Sequence, residues 1–281
     1  MLVLLRSLQR NRRLLTDLVS RDLRGRYVGS SMGFFWSVIF PVVNLVVYMF
    51  VFSVVLNARW DANQPKEVTA LLMLSGIVVW QAFAESVSRM TNTLVENQNL
   101  IQKVVFPSEV LPPYLVLSSL INMLIGIVIT LLGVVWFAYV HPVVYEAGAP
   151  PLRILGLSWS LCSLPVLMLL QALFTLGLGY FFAALNLFLR DIYHVMGVAL
   201  QVWMFLTPIF YPPAKVVEAH MEWVLKINPM YWLVDSYRNA LLWGQWPKIP
   251  VLLQFGAVAL LVFLLGSTFF LRQKPRFPDL L

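Results

Sequence analysis

Charge is scarce in this sequence, and cysteine scarcer. Only 12% of the 281 residues are Asp, Glu, Lys or Arg, and the one cysteine, Cys162, lies inside an apolar run. A lone cysteine excludes a disulfide framework and a cysteine-rich metal site. The chain has no G-x-x-x-x-G-K-[ST] loop to cradle nucleotide phosphates, no H-E-x-x-H zinc motif and no G-x-S-x-G nucleophile elbow. Its three histidines, His141, His194 and His220, are scattered at the ends of apolar segments and read as interfacial residues rather than ligands. No catalytic, cofactor-binding or metal-binding residue is therefore expected in this chain.

What is present is apolar. Hydrophobic residues make up 60% of the chain, and runs of about twenty or more recur, the length a helix needs to cross the hydrocarbon core of a bilayer. Every backbone polar group in lipid must be satisfied internally, so runs of this length imply helices. The expected fold is an all-α polytopic membrane protein. The net charge of +7 clusters beside the apolar segments, which is the positive-inside pattern and not a nucleic-acid surface. The start, MLVLLRSLQRNRR, is not expected to be a signal peptide, because its apolar stretch is short and its arginines follow it.

Residues 1–31 form a terminal segment with seven arginines, and Leu14, Leu15, Leu18, Val19 and Leu23 at helical spacing predict an amphipathic helix lying in the membrane interface. Gly29, Ser30 and Ser31 end that pattern. Six spans are expected within 32–271, at about 32–56, 68–87, 115–140, 159–185, 195–211 and 250–271, followed by a basic tail, 272–281. Six spans put both termini on one side, where thirteen Lys/Arg then lie against seven on the other, so both termini are expected in the cytoplasm. Trp60, Trp136, Trp159, Trp223, Trp232, Trp243 and Trp246 fall at the opposite interface, as an aromatic belt would. Between spans five and six, residues 213–247 are too polar to span and too apolar for a loop. They predict two short re-entrant helices, the second starting at Asn228-Pro229; a surface hairpin is the alternative.

The middles of the spans lack acids and bases, which argues against an ion-driven carrier. Glu85 and Arg89, one turn apart at the inner end of span two, read as a structural pair or a relay. Uncharged polar residues align in spans three (Ser119, Asn122, Gly126, Thr130) and four (Gln171, Thr175), where helix packing explains them. In spans one (Trp36, Ser37, Asn44, Tyr48) and five (Gln201, Trp203, Phe205, Tyr211), rings beside hydrogen-bonding groups suit packing or a conduit for a sugar chain equally. Arg21, Arg24 and Arg26, just before span one, set topology or bind a lipid phosphate headgroup.

Several blocks carry a family likeness. RDLRGRYVGSSMGFFWSVIFPVVNLVVYMFVF, NLIQKVVFPSEVLPPYLVLSSLIN, LRDIYHVMGVALQVWMFLTPIFYP and INPMYWLVDSYRNALL resemble, in that order, segments of the permease subunits of ABC-type polysaccharide exporters, the O-antigen branch above all. The resemblance implies a homodimer bound to two separate ATPase subunits that hold ATP and Mg, and export of a polyprenyl-pyrophosphate-linked polysaccharide across the bacterial inner membrane for lipopolysaccharide assembly. It implies a coupling segment within 96–106, with Asn97, Gln98, Asn99, Gln102 and Lys103 as its polar surface, and outer gate helices within 213–247, with Trp223, Trp232 and Tyr237 as candidates. Capsular-polysaccharide and teichoic-acid permeases look much alike. A sugar-transferring membrane enzyme is a remote rival, disfavoured by the lack of a D-x-D pair.

Overall fold

The computed structural model describes residues 2–26, 35–55, 60, 64–103, 106–142 and 154–281, and of Leu2, Val3, Leu5, Ser37, Phe52, Ser53, Val54 and Lys103 the backbone alone. The expected break at Gly29, Ser30 and Ser31 and most of both far loops lie outside the described residues. Among those described, every regular element is helical.

The N-terminal segment is two helices, α1 (Leu2–Arg10) and α2 (Arg12–Gly25), not one. Helix α3 (Phe35–Tyr48) carries Pro41 inside it and loosens into a π-helical stretch, Met49–Val55. Helix α4 (Lys66–Glu96) is 31 residues long, more than two turns longer than the apolar run predicts. A short reversal, α5 (Gln98–Lys103), leads through a 3-10 turn at Ser108–Val110 into α6 (Leu111–Val135). Pro112 and Pro113 sit in the first turn of α6, where a missing N–H costs nothing. Helix α7 (Leu164–Phe188) and α8 (Ile192–Leu206) follow.

The chain then unwinds at Thr207 and forms α9 (Pro213–Glu218), α10 (Glu222–Ile227) and α11 (Pro229–Leu241). Three short helices thus replace the two expected, because His220 takes a left-handed φ of 56° and splits the first. Pro229 opens α11 as expected, with Asn228 as its N-cap. Helix α12 (Ile249–Gln273) runs on through a 3-10 turn into α13 (Phe277–Leu280), so the basic tail is structured.

Four of these segments are long and apolar enough to cross a membrane: Lys66–Glu96, Ser108–Val140, Trp159–Phe188 and Ile249–Leu280. Two more, Val38–Val51 and Ile192–Leu206, are apolar but shorter. Helix α4 is buried all round from Val68 to Trp80 and occupies the centre, packed by α3, α6, α7, α8 and α11. By contrast α8 leaves Val195, Val198, Val202 and Phe205 exposed along one stripe, and α3 leaves Phe35, Phe40, Val43 and Val47 exposed.

Helices α7 and α12 meet backbone to backbone. A Cβ on Gly266 would stand 1.9 Å from the Gly177 carbonyl oxygen, and one on Gly177 2.5 Å from the Phe263 nitrogen. Gly266→Ala should therefore force the pair apart and cost about 1–3 kcal/mol, the usual cost of overpacking. Gly197→Ala on α8, which meets nothing within 4 Å, should leave stability unchanged or slightly raised. Thermal unfolding of the two variants in detergent checks the contrast.

Candidate functional site

Both termini meet at one end of the bundle, around a single carboxylate. Helix α4 stops where the Asn97 side chain folds back to donate to the Thr93 carbonyl (2.8 Å). Helix α5 then lays Ile101 into a cluster with Leu4, Leu94, Leu111 and Phe277, while Gln98, Asn99 and Gln102 stay exposed. Asn97 itself is half-buried, and the Lys103 side chain lies outside the described residues. Next to α5, Glu109 accepts from Ser7 Oγ of α1 (2.6 Å) and pairs with Lys274 beyond α12, and its backbone carbonyl accepts from Tyr180 OH of α7 (2.8 Å). With its side chain 7% exposed, Glu109 ties four parts of the chain together through its carboxylate and its backbone carbonyl. A groove of about 860 Å³ lies beside it, lined by Arg6, Arg10, Ile101, Gln102, Pro107 and Lys274 among others. Glu109 was not singled out from sequence; its signal is a lone acid between prolines in an otherwise apolar block.

Helix α2 is bound to α4 by charge. Asp22 pairs with Arg89 and with Arg26 (3.2 Å), Arg26 Nη2 lies 2.6 Å from Glu85, and Arg89 lies 3.3 Å from Glu85. The Arg26–Glu85 contact is ionic rather than a well-aligned hydrogen bond. Glu85 and Arg89 do pair along the helix, but inside a quartet. Burial pushes the Asp22 carboxyl up, yet the hydrogen bond and charge of Arg89, with those of Arg26, outweigh it and hold it below the usual carboxylate range. Arg26 is thus committed to two acids, whereas Arg21 and Arg24 stand exposed with no ion pair among the described residues.

The residues predicted to line a conduit differ in exposure. Trp36 is 41% exposed, Asn44 is half-buried, and Tyr48 meets Phe210 with ring centroids 6.1 Å apart; the Ser37 side chain lies outside the described residues. Gln201 and Phe205 are exposed, and Tyr211 donates to the Phe205 carbonyl (2.6 Å). Trp203 instead turns into the bundle, edge-on to Trp80, Phe83 and Phe174, because its indole N–H reaches Asn228 Oδ1 (3.0 Å). Among the gate candidates Trp223 is 57% exposed and Trp232 donates to the Leu225 carbonyl (2.9 Å). Tyr237 is fully buried, donating to Gln171 Oε1 (2.9 Å), while Gln171 donates to the Val79 carbonyl (3.2 Å). Tyr237 is hence an interior fastening, and Trp203 a half-buried one.

Two further side chains hold α11 against the end of α8. Asn228 caps α11 through Met230 and Tyr231 N–H and donates to the Leu206 carbonyl and Thr207 Oγ1. Arg238, 2% exposed, donates to the Leu72, Pro208 and Ile209 carbonyls and lies 4.6 Å over the Trp60 ring. From sequence Arg238 was only a charge outside the spans; its place within the apolar stripe of Leu233, Tyr237 and Leu241 was the available signal.

With this architecture in place, the family model for the ABC-2 type transporter matches residues 13–242. The chain belongs to the ABC-2 type transporter family. It is a multi-pass membrane protein and an ABC transporter permease by that membership. The chain is 31% identical to the O-antigen export system permease protein RfbA of Myxococcus xanthus over 99% of both chains. It is 28% identical to the RfbA of Klebsiella pneumoniae over 95% of both. The polysialic acid transport protein KpsM of Escherichia coli is more distant, 22% identical over 81% of this chain and 80% of its own.

Two variants test these fastenings. Arg238→Leu leaves the buried Pro208 and Ile209 carbonyls short of a donor, the Leu72 carbonyl keeping that of Ser75, and each buried group left unsatisfied costs ~1–3 kcal/mol; a large fall in melting temperature in detergent is expected, with Arg238→Lys recovering part of it. Asp22→Asn should free α2 from α4, seen as loss of a disulfide crosslink engineered between them. Because the folded-state pKa of Asp22 is lowered, the α2–α4 contact with Asp22 in place, read as the distance between spin labels on the two helices, should be intact above the ordinary carboxylate value of about 4 and be lost as pH falls through the lowered one.

Proposed function

We propose that this chain is the membrane subunit of an ATP-driven exporter that moves a polyprenyl-pyrophosphate-linked polysaccharide of the O-antigen type across the bacterial inner membrane. The observation that carries the reading is the end-to-end likeness to RfbA of Myxococcus xanthus, 31% over 99% of both chains. Capsular polysaccharide or teichoic acid is the second reading for the cargo; the weaker likeness to the polysialic acid transport protein favours the former of these.

In this reading the six apolar segments span the membrane, α3 and α8 completing the count, with both termini in the cytoplasm. Residues 32–271 form one transmembrane unit between the interfacial segment 1–31 and the tail 272–281. Two copies pair, and the exposed apolar faces of α3 and α8 are surfaces suited to that pairing. ATP and Mg are held by two separate ATPase subunits, which suits a chain with no phosphate loop.

The ATPases grip the coupling segment 96–106. The exposed Gln98, Asn99 and Gln102 offer neutral hydrogen-bonding groups, and Ile101 beneath them passes the push into the cluster that includes Leu4 and Phe277. Glu109 makes that end stiff, since α1, α7 and the tail share it. The stroke then reaches α3 and α8, the faces proposed to line the conduit through Trp36, Asn44, Tyr48, Gln201 and Phe205. The helices within 213–247 gate its far mouth, where Trp223 is the exposed ring. Arg21 and Arg24 are the cations left to meet the pyrophosphate headgroup.

Replacing Gln98 or Gln102 with tryptophan, or Lys103 with glutamate, should leave the complex assembled and ATP hydrolysis running while polysaccharide export falls at least about tenfold. Normal export in all three variants would sink the coupling assignment.

A further inference from the structure

Between α3, α4 and α6 lies a groove of about 460 Å³, within the ~300–1,000 Å³ typical of small-molecule sites. It runs from Arg26 and Glu85 at the end where the termini meet to Val78 and Gly126 deep in the bundle. We propose that this groove is a saccharide-binding subsite, in which Gln81, Ser119 and Asn122 hydrogen-bond the hydroxyls of a sugar ring and Trp36 and Phe40 pack on its C–H face. The proposal rests on the export reading above and adds to it a site on spans two and three.

The polar groups are the argument. Gln81 stands at the midpoint of α4, exposed on the groove, and makes no hydrogen bond among the described residues. An amide at that depth has no reason to face lipid, where its donors and acceptor go unmet. Ser119 is 1% exposed, lines the groove, and its hydroxyl has no partner. Several other hydroxyls of the bundle are spent within their own helices: Ser86, Thr91, Thr130 and Thr175 each donate to the carbonyl four residues earlier. Ser118 shares Ser119's lack of a partner but is not among the residues lining the groove. Ser119 is held back from that bond, and Asn122 adds a second amide one turn along the same wall. Opposite them, the Trp36 and Phe40 rings lie 6.0 Å apart and tilted by 51°. Sequence reading had placed Ser119 and Asn122 in helix packing and passed over Gln81.

Other occupants fit less well. A phosphate would seek unbalanced cations, but Arg26, the one cation among the described residues that line the groove, is already paired with Glu85 and Asp22. An isoprenoid tail would leave the Gln81 amide and the Ser119 hydroxyl unmet, the same shortfall that an empty groove has. A neutral ring carrying several hydroxyls, with an apolar face, meets both the amides and the aromatic wall.

The test uses the permease–ATPase complex in nanodiscs, with lipid-linked polysaccharide extracted from the source cells as the probe. Ser119→Ala and Gln81→Leu should each raise the polysaccharide concentration giving half-maximal transport about 3- to 10-fold, the worth of one hydrogen bond. Basal ATP hydrolysis and melting temperature should hold, which a packing role would not allow for both. A photo-crosslinking residue at Phe40 should form a sugar-bearing conjugate in the wild-type background and much less of it with Gln81→Leu. Unchanged half-saturation and no sugar conjugate, in a complex that transports, would overturn the subsite and leave export standing. Conjugates to lipid or to a second copy of the chain in place of sugar would also overturn it. Failure of the intact complex to move the polysaccharide at all would instead overturn the export reading, and the subsite with it.

Discussion

Inside a membrane the chain has no water to fall back on, so each polar group must find a partner in the protein. Arg238 is where that constraint bears hardest. Helix α8 ends at Leu206, and the unwound stretch beyond it exposes the Pro208 and Ile209 carbonyls among packed helices. One guanidinium satisfies both and reaches the Leu72 carbonyl on α4 as well. The Asn228 amide does the like for Leu206 and Thr207. The short α8 is therefore possible only because α11 brings two forked side chains to its broken end. Without them the turn from α8 back into the bundle would leave several acceptors stranded.

The two ends of the molecule are fastened by different chemistry. Where the termini meet, carboxylates do the work: Glu109 collects Ser7 and Lys274, while Asp22 and Glu85 share Arg26 and Arg89. Ion pairs of this kind sit at a wet boundary, where their cost of desolvation is lowest. At the far end, neutral amides, hydroxyls and backbone carbonyls take over, with Arg238 the sole cation among them. Titration and salt act on the first set and hardly on the second.

Much of this was legible in sequence, and what was not has a physical reason. Apolar run length announced the long helices because lipid demands about twenty residues per crossing, and Asn228-Pro229 announced α11 because an N-cap and a fixed φ are local chemistry. Helix ends inside water were less visible: α4 runs past Val87 to Glu96 since nothing in SRMTNTLVE breaks a helix. The packing of Trp203 and the burial of Tyr237 were not legible because composition shows that a ring is present but not which side of its helix is covered. Arg238 and Glu109 were invisible for a related reason. The nearest carbonyl that Arg238 meets, Ile209, lies 29 residues away, and Glu109 meets Tyr180 and Ser7 from 71 and 102 residues away; only the fold brings them together.

Gly177 and Gly266 bring two backbones into contact with no side chain between them. A joint of that kind has no compliant layer: neither helix can slide or swivel on the other without a collision of main-chain atoms. Helices α7 and α12 consequently behave as one plank, with α4 clamped to it through Gln171. Whatever moves in this protein must move against that frame. The degrees of freedom are left to α3 and α8, the thinnest and least covered members of the bundle, and the frame is their stator.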